Sequence, residues 1–142
     1  MKRRKGCHFL LFLLGGTAYV LIEFCWRRRS HPSMFVVGGI CFGIIGKIYV
    51  ALADKALWVR SSIAALAVTA VEFISGCFLN LHLNCNVWDY KNKRCNLLGQ
   101  VCLLYTMLWG LLSIPAGALY RYCLLLFSGR AKVRKRARIT LR

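Results

Sequence analysis

The chain has 142 residues, the length of one domain, and is 58% hydrophobic, with 21 Lys and Arg set against four carboxylates (Glu23, Asp54, Glu72, Asp89) for a formal charge of +17. Its basic residues gather at the termini and between long apolar runs, which excludes a soluble nucleic-acid-binding face and points to the lipid bilayer as the solvent. Six of the eight cysteines lie in or beside apolar runs as small buried thiols and no C-x-x-C pair occurs, so neither a disulfide framework nor a structural zinc site is expected.

The first apolar run, Cys7 to Trp26, follows the basic Met1-Lys2-Arg3-Arg4-Lys5. It lacks an A-x-A cleavage pattern and ends on Glu23, Trp26 and three arginines, so it reads as a membrane helix and not as a signal peptide. Arg27 to Ser33 forms a tight turn, because Pro32 fixes its own backbone and biases His31 away from helix. Met34 to Ala53, about 20 residues, matches a hydrocarbon core of roughly 30 Å at about 1.5 Å per residue. A third run, Ser62 to Leu83, follows the short Asp54 to Ser61 connection, whose Trp58 suits the membrane interface.

The polar segment Asn84 to Asn96 leads into a fourth run, Leu97 to Tyr120, with Asn96 as a candidate cap and Pro115 as a kink. Past Arg121, the stretch Tyr122 to Phe127 either continues the helix or lies along the interface. Arg130 to Arg142 is a basic tail, in which Arg130, Lys132, Arg134, Lys135, Arg136 and Arg138 are expected to meet anionic lipid at about 1 kcal/mol each. The predicted fold is all-α, a polytopic membrane protein with a four-transmembrane-helix bundle at 1–127 and a cytoplasmic tail at 128–142. Four spans put both termini on one side. With the termini inside, Lys and Arg number 14 inside and 6 outside, which predicts cytoplasmic ends even though Arg27, Arg28 and Arg29 oppose the rule locally.

Polar and small residues recur along each run: Gly15, Tyr19 and Glu23; Gly39, Gly43, Gly46 and Lys47; Thr69, Glu72, Gly76 and Asn80; Thr106, Gly110, Ser113 and Gly117. These faces are expected to point inward, where small residues admit close backbones and polar groups find partners that lipid lacks. Glu72 falls near mid-span, where an unpaired charge is costly, and with Lys47, Asn80 and Glu23 it makes a candidate intramembrane polar site. Two arrangements stay open: an ion pair with Lys47, or a neutral Glu72 hydrogen-bonded to Thr69, Asn80 or another helix.

Catalytic signatures are weak. Gly46-Lys47 stands where a P-loop would end, but Cys41 occupies the place of its first glycine and Ile48 that of its Ser or Thr, so no ATP hydrolysis is expected. His82 and Asp89 are the nearest approach to a catalytic pair, without Ser-His-Asp order or H-E-x-x-H. Neither enzymatic activity nor a cofactor is expected. Cys85 and Cys95, the two cysteines of the polar segment, leave a loop disulfide open.

The most specific stretch is Glu72-Phe73-Ile74-Ser75-Gly76, then Trp88-Asp89-Tyr90, Asn96, Gly99 and Trp109-Gly110. This order resembles the Putative ABC-transporter type IV family of bacterial membrane proteins, with an E-[FY]-x-x-G helix, a W-D-Y-S segment, an N-x-x-G helix start and a later W-G; Gly15, Tyr19 and Glu23 fit more loosely. Lys91 stands where the family has serine, and the first loop is shorter. The resemblance implies the bacterial cytoplasmic membrane and a part in transport. Trp88, Asp89, Tyr90, Asn96 and Gly99 are a candidate outer-loop motif, with Trp88 and Tyr90 at the membrane boundary and Asp89 accepting from the fourth helix or pairing with an arginine. The expected function is that of a membrane subunit of a multi-protein transport system, with a separate ATPase subunit as partner. The alternative is a non-transporting scaffold or regulatory protein. Either reading expects a homo-oligomer or a membrane partner, and no nucleic acid.

Overall fold

The computed structural model describes Lys2–Phe127, with side chains from Gly6 onward; the basic tail at 128–142 lies outside the described residues. Four helices carry the fold: α1 (Lys2–Arg27), α2 (Pro32–Ala51), α3 (Leu57–Gly76), extended by a π-helical stretch at Cys77–His82, and α4 (Leu103–Phe127). All four are long and apolar enough to cross a membrane, with spans of 20 to 26 residues. Phe9, Leu21, Phe24, Ile74, Leu111 and Leu126 are mostly exposed. Apolar surface of that extent is stable only against lipid or another protein.

α2 is the hub, packing on all three other helices, whereas α1 meets α4 only lightly. The α1–α2 contact alternates glycines and rings across the interface: Gly15 faces Phe42, Gly16 faces Phe35, Gly38 faces Tyr19 and Gly39 faces Phe12. The falling register, 12 against 39 and 16 against 35, marks an antiparallel pair. An aromatic ring lies where each glycine's Cβ would be, so close packing here depends on having no side chain at these positions. Gly46 and Gly117 likewise receive the rings of Tyr120 and Tyr49. The expected α2 stripe therefore divides: Gly39 and Gly46 face inward, while Gly43 meets open space and Lys47 is exposed.

The inward faces of α3 and α4 meet through hydroxyls. Thr69 donates to Thr106 at 3.0 Å, Ser61 donates to the Gly110 carbonyl at 2.5 Å, and fully buried Ser113 lies 3.4 Å from the Ser61 hydroxyl and 3.1 Å from that of Tyr49 on α2. Along α3 and its π-helical end, Ala64, Val68, Glu72, Gly76 and Asn80 recur every four residues and are all buried, so one face carries both the core and the polar groups.

Two helix starts differ from expectation: α3 begins at Leu57, ahead of Ser62, and α4 begins at Leu103, after Leu97. Asn96 does not cap α4: Asn96–Leu97 pairs antiparallel with Val101–Cys102 as strands β1 and β2, and the helix begins at Leu103. Leu98 and Gly99 between them both have positive φ, at 52° and 69°, which an α-helix excludes. At the other end Tyr122 to Phe127 continues α4. α1 reaches Arg27, and His31 caps α2 by accepting from Ser33 N–H at 3.2 Å, which makes the first connection as tight as Pro32 implied.

Candidate functional site

The segment from Leu83 to Cys102 folds back into the end of the bundle where α1 ends and α4 begins. Its anchor is Trp88, 3% exposed and packed with Met34 and Val87 against Tyr19, Val37, Leu79 and Tyr90. This corrects the expectation of a boundary position for Trp88, whose indole N–H donates to the Gln100 carbonyl at 2.9 Å. A buried indole needs such an acceptor. Gly76 makes room for it: a Cβ there would come 3.0 Å from the Trp88 ring and 2.7 Å from Gln100 Oε1.

Asn80 clips the segment's backbone. Its Oδ1 accepts from Val87 N–H at 2.7 Å, and its Nδ2 donates to the Trp88 carbonyl at 2.9 Å and to Gln100 Oε1 at 2.8 Å. From α1, Arg27 donates to the Val87 carbonyl at 3.0 Å and to Glu23 Oε1 at 3.1 Å, while Ser30 donates to Glu23 Oε2 at 2.6 Å. One of the three arginines that oppose the charge rule thus holds the loop to α1.

Glu72 is 5% exposed and takes a donor on each oxygen: the Tyr90 hydroxyl at 3.0 Å on Oε1 and the Trp109 indole N–H at 3.1 Å on Oε2. Tyr90 stacks on Tyr105 with ring centroids 4.5 Å apart, and Trp109 stacks on Tyr19 at 5.7 Å. Burial first, then the adjacent Glu72 carboxylate, pushes the Tyr90 phenol well above its ordinary range, which keeps it a proton donor. One carboxylate therefore joins α3, α4 and the loop, with α1 leaning on the indole from behind.

The Lys47 ion pair is not formed. Lys47 lies in the last turns of α2, away from the loop, with its side chain exposed, and makes no ion pair or hydrogen bond among the described residues. A lysine so close to the helix end can snorkel to the interface instead of reaching Glu72. Thr69 and Asn80 do not contact Glu72 either; they serve Thr106 and the loop. Of the candidate intramembrane group, the fold gathers Glu23, Glu72 and Asn80 at one end and leaves Lys47 out.

The rest of the loop motif shapes the turn. Asp89 is exposed, accepting from Lys91 N–H at 2.8 Å with Lys91 Nζ 3.9 Å away, so it neither meets α4 nor pairs with an arginine. Asn96 donates to the Lys91 and Lys93 carbonyls and accepts from Gly99 N–H at 3.1 Å. Gly99 has φ 69°, and a Cβ on it would come 2.6 Å from Lys91 and 2.9 Å from Asp89. Only glycine combines that conformation with that approach. Lys91, the departure from the family's serine, supplies both contacts to Asp89.

His82 stacks on Phe78 while Asp89 turns to Lys91. Cys85 and Cys95 are both free and exposed. A surface cleft of about 200 Å³ beside the loop is lined by Glu23, Arg29, Ser30, His31, Cys85, Asn86 and Val87.

Sequence reasoning missed Gln100, 2% exposed, whose side chain and carbonyl tie Asn80, Leu98 and Trp88 together. A glutamine inside an apolar run was its signal, since such an amide must find partners indoors. The spacing of Arg27 four residues after Glu23 likewise announced their pair.

These bonds predict the outcome of two mutant cycles measured by unfolding in detergent. Tyr90→Phe should cost about 1–3 kcal/mol alone and far less in a Glu72→Leu background, whereas Lys47→Met and Glu72→Leu should add within about 0.5 kcal/mol. Coupling in the lysine cycle and none in the tyrosine cycle would overturn the assignment.

Most positions on which the resemblance was drawn meet around Glu72 and the loop: Glu72 and Gly76 on α3, Trp88, Asp89, Tyr90, Asn96 and Gly99 in the loop, and Trp109 on α4, whereas Gly15 faces Phe42 and Gly110 faces Ser61 and Ala65. The model of the family described as Putative ABC-transporter type IV matches residues 9–135, nearly the whole chain. No curated protein and no solved structure matches it. With the match running from α1 past the end of α4, the chain belongs to the Putative ABC-transporter type IV family.

Proposed function

We propose that the protein is a membrane subunit of a multi-protein transport system whose ATPase is a separate polypeptide. The observation that carries this reading is the family match across 9–135. The site's geometry supports a particular role within such a system. Glu23 accepts from Arg27 and Ser30, Glu72 from Tyr90 and Trp109, and Asn80 and Gln100 bond each other and the loop, so the polar interior rigidifies the bundle instead of lining a passage. Such a subunit contributes through the surfaces it presents, and cargo would move between it and its partners. The same observation sustains one alternative, a non-transporting scaffold or regulatory protein.

Gentle solubilisation of native membranes, followed by identification of stoichiometric companions, separates the two. The transport reading expects an ATPase at a fixed ratio; repeated recovery of an unrelated enzyme in its place would establish the scaffold.

We place the chain in a bacterial cytoplasmic membrane with both termini in the cytoplasm, on the strength of the 14 to 6 distribution of Lys and Arg. The Glu72-tethered loop then faces outward. In a cysteine-free background, Asn92→Cys should react with an impermeant thiol reagent in intact cells and Lys55→Cys should not. The opposite labelling would invert the orientation.

A further inference from the structure

Among the described residues one buried side-chain nitrogen has no hydrogen-bond partner, and it is Nε of Arg60. Arg60 lies in the first turn of the span Leu57–His82, with its guanidinium carbon 5.4 Å from the centre of the Tyr49 ring. That stacking occupies the face of the guanidinium and leaves its N–H edge free. Tyr49 in turn bonds Ser113 and lies over Gly117, so Arg60 stands where α2, α3 and α4 come together at the end of the bundle away from the loop. The inward stripe of α4, Thr106, Gly110, Ser113 and Gly117, ends one turn further on at Arg121, which is exposed. Its partners on α3 run in step, Thr106 beside Thr69 and Ser113 beside Ser61, so Arg121 comes level with the connection at 52–56, where α3 has not yet begun. The start of α3 carries no side-chain cap and no acidic residue in its first turn. Asp54, the one carboxylate of the connection, lies 3.4 Å from Lys55, and neither arginine forms an ion pair among the described residues.

We propose that Arg60 and Arg121 bind the phosphate of one anionic lipid where α2, α3 and α4 end together. A buried, unpartnered donor inside a span needs an acceptor that hydrocarbon cannot supply. Both guanidiniums offer edge donors in a planar fork, which a phosphate meets with several oxygens at once. The uncapped start of α3 adds its partial positive charge to theirs. Depth chooses the source of the phosphate. Both arginines lie within two turns of the ends of their spans, and Trp58, beside Arg60, is 73% exposed, as suits a tryptophan among headgroups. Basic pockets between transmembrane helices at a membrane face hold lipid headgroups in this way.

The test titrates the full chain in detergent with phosphatidic acid and, separately, with diacylglycerol of the same acyl chains, and counts bound lipid by native mass spectrometry at high ionic strength, where the exposed charges of the tail are screened. One phosphatidic acid per chain should stay bound, and diacylglycerol should not. Arg60→Lys keeps the charge but loses the fixed fork, and Arg121→Met removes an exposed side chain; each should weaken phosphatidic acid binding about tenfold or more. Lys93→Met, in the loop at the other end of the bundle, should leave it unchanged. Equal retention of the two lipids, or parent-like binding in either arginine variant, would overturn the proposal. Displacement of the bound lipid by inorganic phosphate at the same concentration would give the site to a soluble anion and overturn the lipid assignment as well.

Discussion

A carboxylate beyond the middle of a helix that crosses hydrocarbon must find its hydrogen-bond donors inside the protein, and much of this structure follows from where Glu72 finds them. One donor comes from the loop and one from α4. Lipid offers no replacement for either, so the carboxylate makes the position of Tyr90 and Trp109 a condition of its own burial. The aromatic pairs behind those donors, Tyr90 with Tyr105 and Trp109 with Tyr19, extend the same constraint to the start of α4 and to α1. A loop that a soluble protein would leave on its surface becomes part of the core.

Asn80 and Gln100 make the second half of this arrangement. The π-helical end of α3 puts Asn80 over the loop, where its amide reads the backbone at Val87 and Trp88 as a strand partner would. Every polar atom of that amide is used, and Gln100 and Arg27 close the remaining gaps. Networks of this kind are rigid when complete and costly when broken, because the low dielectric that strengthens each bond also penalises each orphan. The family's motif residues are therefore intelligible as a folding device. Gly76 admits Trp88, Gly99 turns the chain beneath Lys91, Asn96 closes the turn, and Glu72 fastens the result.

The sequence made the four spans legible because hydrocarbon imposes length and apolarity on every crossing element, and the runs beginning near Cys7, Met34, Ser62 and Leu97 satisfy both. It also singled out Glu72, Asn80 and Glu23, since buried polar groups are conspicuous against so apolar a background. What it hid was pairing. The Glu72–Lys47 reading followed from two opposite charges on adjacent helices, but neutral indole and phenol donors carry no charge signal, and Trp109 lies 37 residues away in sequence. The start of α4 was misplaced for a related reason: Asn96-Leu97-Leu98-Gly99 looks like a cap and an apolar first turn, and only the positive φ at Leu98 and Gly99 turns it into a hairpin. Trp88 was set at the interface because tryptophan favours it, whereas the small face of Gly76 draws it inside.

Amide hydrogen exchange across the loop tests the central claim, that Glu72 holds the loop into the bundle, most directly. In Glu72→Leu protein, the amides of Val87 to Gln100 should exchange about tenfold faster or more than in the parent, as loss of two strong hydrogen bonds requires, while those of the α1–α2 contact keep their rates. Unchanged protection of the loop in that variant would show that Trp88 and Asn80 hold it without the carboxylate and would contradict the account.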